Sequence, residues 1–277
     1  MIDPAIQQAK QAARERMWDT LEAAGVVASG VHGKIPNFDG AEAAAERLAA
    51  LPVWAEAEVI KAVPDKAQLP VRVRALEEGR LVYMAVPNMA HERPFYVLDP
   101  ARLTIPFEEA ATGKGAAAVA PHIGTDEMRP IDLVVCGSVA VNRQGVRLGK
   151  GAGYSDLEVA LLHEAGLIGP NTTFATTVHQ LQVVDAALPE AEHDFRVSLI
   201  ITPAQTIVLE AAFRRPNLSW DDLDGAKIAA IPVLAKLASQ RAQPGGRRGR
   251  RHGARTDHHS SLTWPPVEGD SVHGACE

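Results

Sequence analysis

Between residues 145 and 156 the sequence GVRLGKGAGYSD sets two cations, Arg147 and Lys150, among four glycines and ends on an acid, Asp156. Alternate glycines at 149, 151 and 153 let a backbone approach a ligand closely and expose its N–H groups. A helical pattern follows at once: Leu157, Ala160, Leu161 and Ala165 share a face, and Gly166 is placed to end it. The positive end of that helix, the exposed N–H groups and the two cations, both expected to face solvent, all favour an anion, and a polyphosphate is the natural occupant. Ser155 with Glu158 three residues on has capping-box spacing, so Ser155 is expected to cap the helix. The same residues also suit a glycine-rich hairpin packed on a helix with no ligand. Neither standard nucleotide fingerprint is met, because G-x-x-x-x-G-K-[ST] is absent and G-x-G-x-G misses the dinucleotide spacing.

Other chemistry-bearing residues are dispersed. His32, His91, His122, His163 and His179 fall in separate segments without metal-ligand spacing. Of these, His179 follows a strand, where sites of α/β folds usually lie. Glu108, Glu109, Asp126 and Glu127 read as solvated turn charges, and no serine or cysteine sits in a G-x-S-x-G context for covalent catalysis. Cys136 lies in an apolar run and Cys276 near the end of the sequence, which suits free thiols in a reducing compartment.

The elements that must position the loop are legible by periodicity. Ile6, Ala9, Ala13, Met17 and Leu21 recur at spacings of three and four, which predicts a helix over 3–24 ended by Gly25. A second helix is expected over 41–51, with Asp39 near its start and Pro52 stopping it, after a loop at 31–38. Continuous apolar runs at 58–63, 81–86, 133–141, 173–178, 197–201 and 206–209 suit strands buried on both faces, with helices between them near 71–78 and 156–165. This alternation predicts an α/β fold: a layered, mainly parallel sheet flanked by helices.

With 46% hydrophobic residues, a chain of 277 residues can bury a large core. No run reaches membrane-spanning length and the first residues lack a signal-like apolar stretch, so a cytoplasmic protein with no membrane partner is expected. From about residue 241 the sequence turns rich in Gly, Pro, Arg and His, with almost no aliphatic residues. Such a segment cannot offset its ordering entropy, so residues 1–240 are expected to form the folded domain and 241–277 a disordered tail. The tail's arginines could bind RNA or acidic lipid. No aromatic stacking platform accompanies them, and the acidic body, carrying about −8 of charge, argues against nucleic acid as the main ligand.

Taken together, Asp132, Leu133, Gly145, Arg147, Leu148, Gly149, Gly151, Gly153, Tyr154 and Asp156 resemble the signature R-L-G-x-G-x-G-Y-Y-D of 5-formyltetrahydrofolate cyclo-ligases. Glu192, His193 and Asp194 are similar to the family's late acidic element, and Lys10 and Arg14 keep its K-x-x-x-R spacing. The segments IPNF at 35–38, VHQLQVVD at 178–185 and LIITP at 199–203 look closer to the cyclo-ligase-domain-containing branch, and the resemblance spans roughly residues 1–235.

The resemblance implies the fold shared with sugar-phosphate isomerases and CoA transferases. It also implies ATP contacts at Lys10, Arg14, Arg147, Gly149, Lys150, Gly151, Gly153, Tyr154 and Asp156, and Mg²⁺ ligands at Asp156 and Asp194. Carboxylates are the hard oxygen donors that Mg²⁺ prefers. Arg147 and Lys150 would be the catalytic cations, and a reduced folate the small-molecule partner of a monomer or weak oligomer. The implied reaction passes a phosphoryl group from ATP to the formyl oxygen on N5. N10 then attacks the activated carbon and phosphate leaves as the ring closes to 5,10-methenyltetrahydrofolate. Ser155 stands where the family has a second Tyr, Leu157 where many members carry Arg and Ser198 where many carry an acid. Residues 56–60 lack a clear copy of the folate-contacting glutamate motif. Those departures suit an alternative, a catalytically idle nucleotide- or RNA-associated binding protein on the same fold.

Overall fold

The computed structural model describes residues 3–209, 220, 223 and 225–242. Cys276 and residues 243–277 of the expected tail lie outside them.

Eleven strands, nine α-helices and three short 3-10 helices are defined among the described residues. Helix α1 (Pro4–Ala23) starts where Asp3 accepts a hydrogen bond from the Ala5 N–H at 2.8 Å, with Pro4 in the first turn where its missing N–H costs nothing. Helix α2 (Ala41–Ala49) begins after Gly40, whose φ of 91° only glycine adopts without strain; Asp39 makes no cap there. Pro52 does more than stop that helix, because it opens the short α3 (Pro52–Glu56).

The strands β1 (Val59–Ala62), β2 (Leu81–Ala85), β3 (Phe95–Leu98), β4 (His122–Ile123) and β5 (Leu133–Cys136) follow. Between them run α4 (Leu69–Glu77), α5 (Phe107–Ala110) and α6 (Gly113–Val119). The apolar run 133–141 is not one strand. It breaks at Gly137, where a Cβ would meet Ile35 Cγ2 at 2.7 Å, and resumes as β6 (Ala140–Asn142) in a different sheet. Next come β7 (Arg147–Leu148), α7 (Tyr154–Glu164), β8 (Thr173–Thr177), β9 (Val183–Val184), β10 (Leu199–Ile201), β11 (Thr206–Val208), α8 (Gly225–Ala230) and α9 (Pro232–Ala242).

The main sheet has the order β11-β10-β8-β5-β1-β2-β3-β4, and its five central members, β10 to β2, pair in parallel. Antiparallel strands close both edges. Alternate residues of the parallel strands supply two cores. Val59, Tyr83, Val134, Phe174 and Ile200 face a layer with α7 and α9, while Ile60, Val82, Val135, Ala175 and Ile201 face α2 and α4. Burial on both faces is why these strands read as continuous apolar runs. The expected layered α/β fold is therefore observed.

A second sheet, β7-β6-β9, packs with α1 around Met17, Trp18, Leu21, Val139, Ala140 and Leu148. Among the described residues no helix is long and apolar enough to cross a membrane.

Candidate functional site

In the parallel sheet the connection from β1 runs one way to β2, whereas β5 returns on the other side of β1. The carboxyl ends of β1 and β5 therefore flank the switch point where open α/β sheets bind ligands. A cavity of about 390 Å³ lies there. Residues 63–65 after β1, 85–88 around the end of β2, and Gly137 after β5 form one side; residues 147–158 and α1 form the other.

The β6–β7 hairpin turns at Gly145, whose φ is 79°, and delivers the glycine loop along the cavity. Gly151 and Gly153 hold φ of 102° and 71°, conformations that side chains strain. Gly153, not Ser155, occupies the N-cap position of α7, and Ser155 lies inside the first turn. The capping box fails because Glu158 is turned into the protein, where it is buried in an ion pair with Lys61 of β1.

The two loop cations differ in kind. Arg147 is 3% exposed; its Nη2 donates to Asp156 Oδ1 at 2.6 Å and its guanidinium stacks 3.8 Å from the Phe195 ring centre. Burial alone would lower its pKa, but Asp156 and neighbouring acidic groups outweigh burial and hold it up. A solvent-facing Arg147 is therefore not found. Lys150 is 45% exposed, with Nζ 3.5 Å from Asp65 Oδ1.

From α1, Arg14 Nε donates to the Gly149 carbonyl at 2.6 Å, and Lys10 Nζ is buried 2.5 Å from Asp194 Oδ2. Burial lowers the Arg14 pKa against the upward pull of Asp194 and Asp156. Lys10, Arg14, Arg147, Gly149, Lys150, Gly151, Gly153, Tyr154, Asp156 and Asp194 all line this one cavity.

Two further residues on its wall carried little signal in the sequence. Lys227 of α8 donates to the Ala152 carbonyl at 3.1 Å, and Asn88 adopts a left-handed φ of 55°. The histidine singled out earlier is not among the lining residues. His179 Nδ1 accepts from the Leu181 N–H, and its backbone N–H donates to Gln182 Oε1, so it caps a helical turn. Burial lowers its pKa, with Asp39 opposing. Burial also pushes the Cys136 thiol up, which leaves it a poor nucleophile.

The arrangement suits a polyphosphate. Cβ atoms at Gly149, Gly151 and Gly153 would stand 3.2, 3.4 and 3.0 Å from Arg147, Arg14 and Lys227 atoms, so the missing side chains keep cationic groups close to the loop backbone. The buried Arg147 Nε also lacks a hydrogen-bond partner. For Mg²⁺ the donors differ. Asp156 commits Oδ1 to Arg147, whereas Asp194 gives Oδ2 to Lys10 and the Ala191 N–H and has His193 3.6 Å from Oδ1. Among the described residues no group of three or more His, Cys, Asp or Glu is placed to hold a metal.

A model of the 5-formyltetrahydrofolate cyclo-ligase family matches residues 6–203. Methenyltetrahydrofolate synthase domain-containing proteins from Bos taurus and Mus musculus are 34% and 35% identical, over 88% and 85% of this chain. The matched stretches span 66% and 65% of those relatives. The NMR structure of Aquifex aeolicus 5,10-methenyltetrahydrofolate synthetase superposes with a TM-score of 0.48 at 16% identity, covering 72% of this chain and 94% of that one. The glycine loop, α1 from Ile6 onward and Asp194 all fall within the matched residues, and the chain belongs to the 5-formyltetrahydrofolate cyclo-ligase family.

Proposed function

We propose that this chain is an ATP- and Mg²⁺-dependent cyclo-ligase that converts 5-formyltetrahydrofolate to 5,10-methenyltetrahydrofolate. The observation that carries the reading is the meeting of Gly149, Gly151 and Gly153 with Arg14 and Lys150 around one cavity at the sheet's switch point. Its volume falls in the range of small-molecule sites, roughly 300–1,000 Å³.

In this reading the loop N–H groups and Lys150 hold the phosphates, and Arg14 stands ready to exchange the Gly149 carbonyl for a phosphate oxygen. Lys150 is the exposed catalytic cation, free to follow charge as it shifts between phosphate oxygens. Arg147 works from beneath as a positioning residue, fixing Asp156 at the start of α7. Asp156 presents its second carboxylate oxygen to Mg²⁺, which when bound would screen the phosphate charge. Asp194 aligns Lys10 rather than meeting the metal itself. The reduced folate takes the remaining space beside residues 85–88.

A second reading, an idle nucleotide-binding protein, is favoured by one observation. Each carboxylate on the cavity wall is already matched to a cation: Asp65 to Lys150, Asp156 to Arg147, Glu158 to Lys61 and Asp194 to Lys10. No acid among those lining residues is left over for a pterin ring.

Turnover separates the two. With ATP, Mg²⁺ and 5-formyltetrahydrofolate, the cyclo-ligase reading expects methenyl product and ADP, and Asp156→Asn is expected to abolish both. Because Asp156 also neutralises buried Arg147, that variant should lose about 3 kcal/mol of stability as well. Binding of ATP·Mg²⁺ with no methenyl product under any condition would leave the idle binding protein standing.

A further inference from the structure

Charge bookkeeping around the cavity leaves two cations over. Lys10, Lys61, Arg147 and Lys150 each face a carboxylate, but among the described residues Arg14 and Lys227 have none in salt-bridge contact. Both instead donate to carbonyls of the glycine loop, Arg14 to Gly149 at 2.6 Å and Lys227 to Ala152 at 3.1 Å. They therefore bracket the loop at its two ends.

Lys227 arrives from α8, outside the residues 6–203 that match the family. Its placement is built rather than incidental. Ile231, Val233 and Leu234 are buried against the main core, with Leu223, Ile228 and Leu237 packed beside them. This seats α8 and α9 on the α7 face, and Lys227 Nζ reaches back to 5.4 Å from the Tyr154 ring centre. It stands 3.0 Å from where a Cβ on Gly153 would be, so a side chain at 153 would crowd the ammonium. Burial lowers the Lys227 pKa, with Asp156 opposing the shift, as befits an ammonium lodged in a half-closed site.

A carbonyl and a ring face are weak partners for a half-buried ammonium, whereas a phosphate oxygen offers a full charge. We propose that Lys227 is a polyphosphate-binding residue of this site, contributed by a C-terminal element beyond the family core and acting opposite Arg14 across the glycine loop. The proposal rests on the nucleotide reading above.

Calorimetric titration with ATP in excess Mg²⁺ tests it on the full chain. Lys227→Met is expected to weaken ATP binding about 10- to 100-fold, the loss of one charge-assisted contact. Lys227→Arg, which keeps the charge, is expected to restore affinity to within about threefold of wild type, and melting curves should show both variants folded. Should the Met variant fail to fold, Lys227→Gln replaces it, since the amide still donates to Ala152 while lacking charge. Wild type that binds no ATP would remove the nucleotide reading and this inference together. Wild type that binds ATP with unchanged affinity in the neutral variant would overturn the inference alone, as would equal weakening by Met and Arg, which marks a role of shape rather than charge.

Discussion

Arg147 and Lys150 stand three residues apart on one loop and are asked to do different things. The first is sealed between Asp156 and Phe195, the second is nearly half exposed beside Asp65. An exposed pair such as Lys150 with Asp65 contributes about 0–1 kcal/mol, so Lys150→Ala should leave the melting temperature nearly unchanged while weakening ATP binding about tenfold or more. Arg147→Ala should instead lower stability by about 3–5 kcal/mol with or without ligand, because it leaves Asp156 unpaired and a hole beneath the loop. Chemical denaturation of the two variants checks the contrast, and equal stabilities would refute it. The sequence places both cations in the loop and suggests that both are exposed, which holds for Lys150 and fails for Arg147. Arg147 is buried by Phe195, a residue 48 positions later whose arrival no local pattern announces.

Between elements, the ties are made by side chains that reach across layers. Glu78, just after α4, accepts hydrogen bonds from Trp54 of α3 at 2.8 Å, from Arg74 and from Arg80. Burial would raise its pKa, yet those hydrogen bonds prevail and hold it down at about 2, against an ordinary 4.5. A carboxylate with a depressed folded pKa contributes stability that is complete above its unfolded value and lost as pH falls through the folded one. Glu78→Gln should therefore destabilise the protein at pH 7 and flatten its loss of melting temperature between pH 4.5 and about 2. An unchanged acid profile would mean that Glu78 holds nothing together. Much at this scale was legible: the spacing of Ile6, Ala13, Met17 and Leu21 marks α1, and the apolar runs mark β1, β2, β8 and β10. The split of 133–141 at Gly137 was hidden, since an uninterrupted apolar run looks the same whether it serves one sheet or two. The capping box at Ser155 and Glu158 misled for a related reason. Its glutamate answers a lysine 97 residues away, and tertiary pairing overrides the local motif.

Over the whole molecule, the chain ends its described course by folding α8 and α9 back onto the main core. Removing residues 243–277 should leave stability and ATP binding as they are, consistent with the composition of that segment. Ending the chain at residue 209 instead strips away Ile231, Val233 and Leu234, each worth about 1.5–3 kcal/mol when buried. Thermal melts of the two truncations should differ widely, and similar melting temperatures would show that α8 and α9 are not seated. The second sheet has a consequence of its own. With α1 it encloses a separate cluster around Trp18 and Leu148, and this part is expected to open locally before the main sheet comes apart. Amide hydrogens of α1 and β6 should accordingly exchange with deuterium through a shared local opening, while those of β1 and β5 wait for global unfolding. Lys10 and Arg14 extend from α1 into the cavity, which residues 63–65 and 85–88 of the main sheet's strand ends also line. A bound polyphosphate would lie across that seam, and ATP should slow exchange in α1 more than in β1; equal protection of both would mean one cooperative unit. The anion would then add a further tie between this part and the main core, beside the buried pair of Lys10 with Asp194.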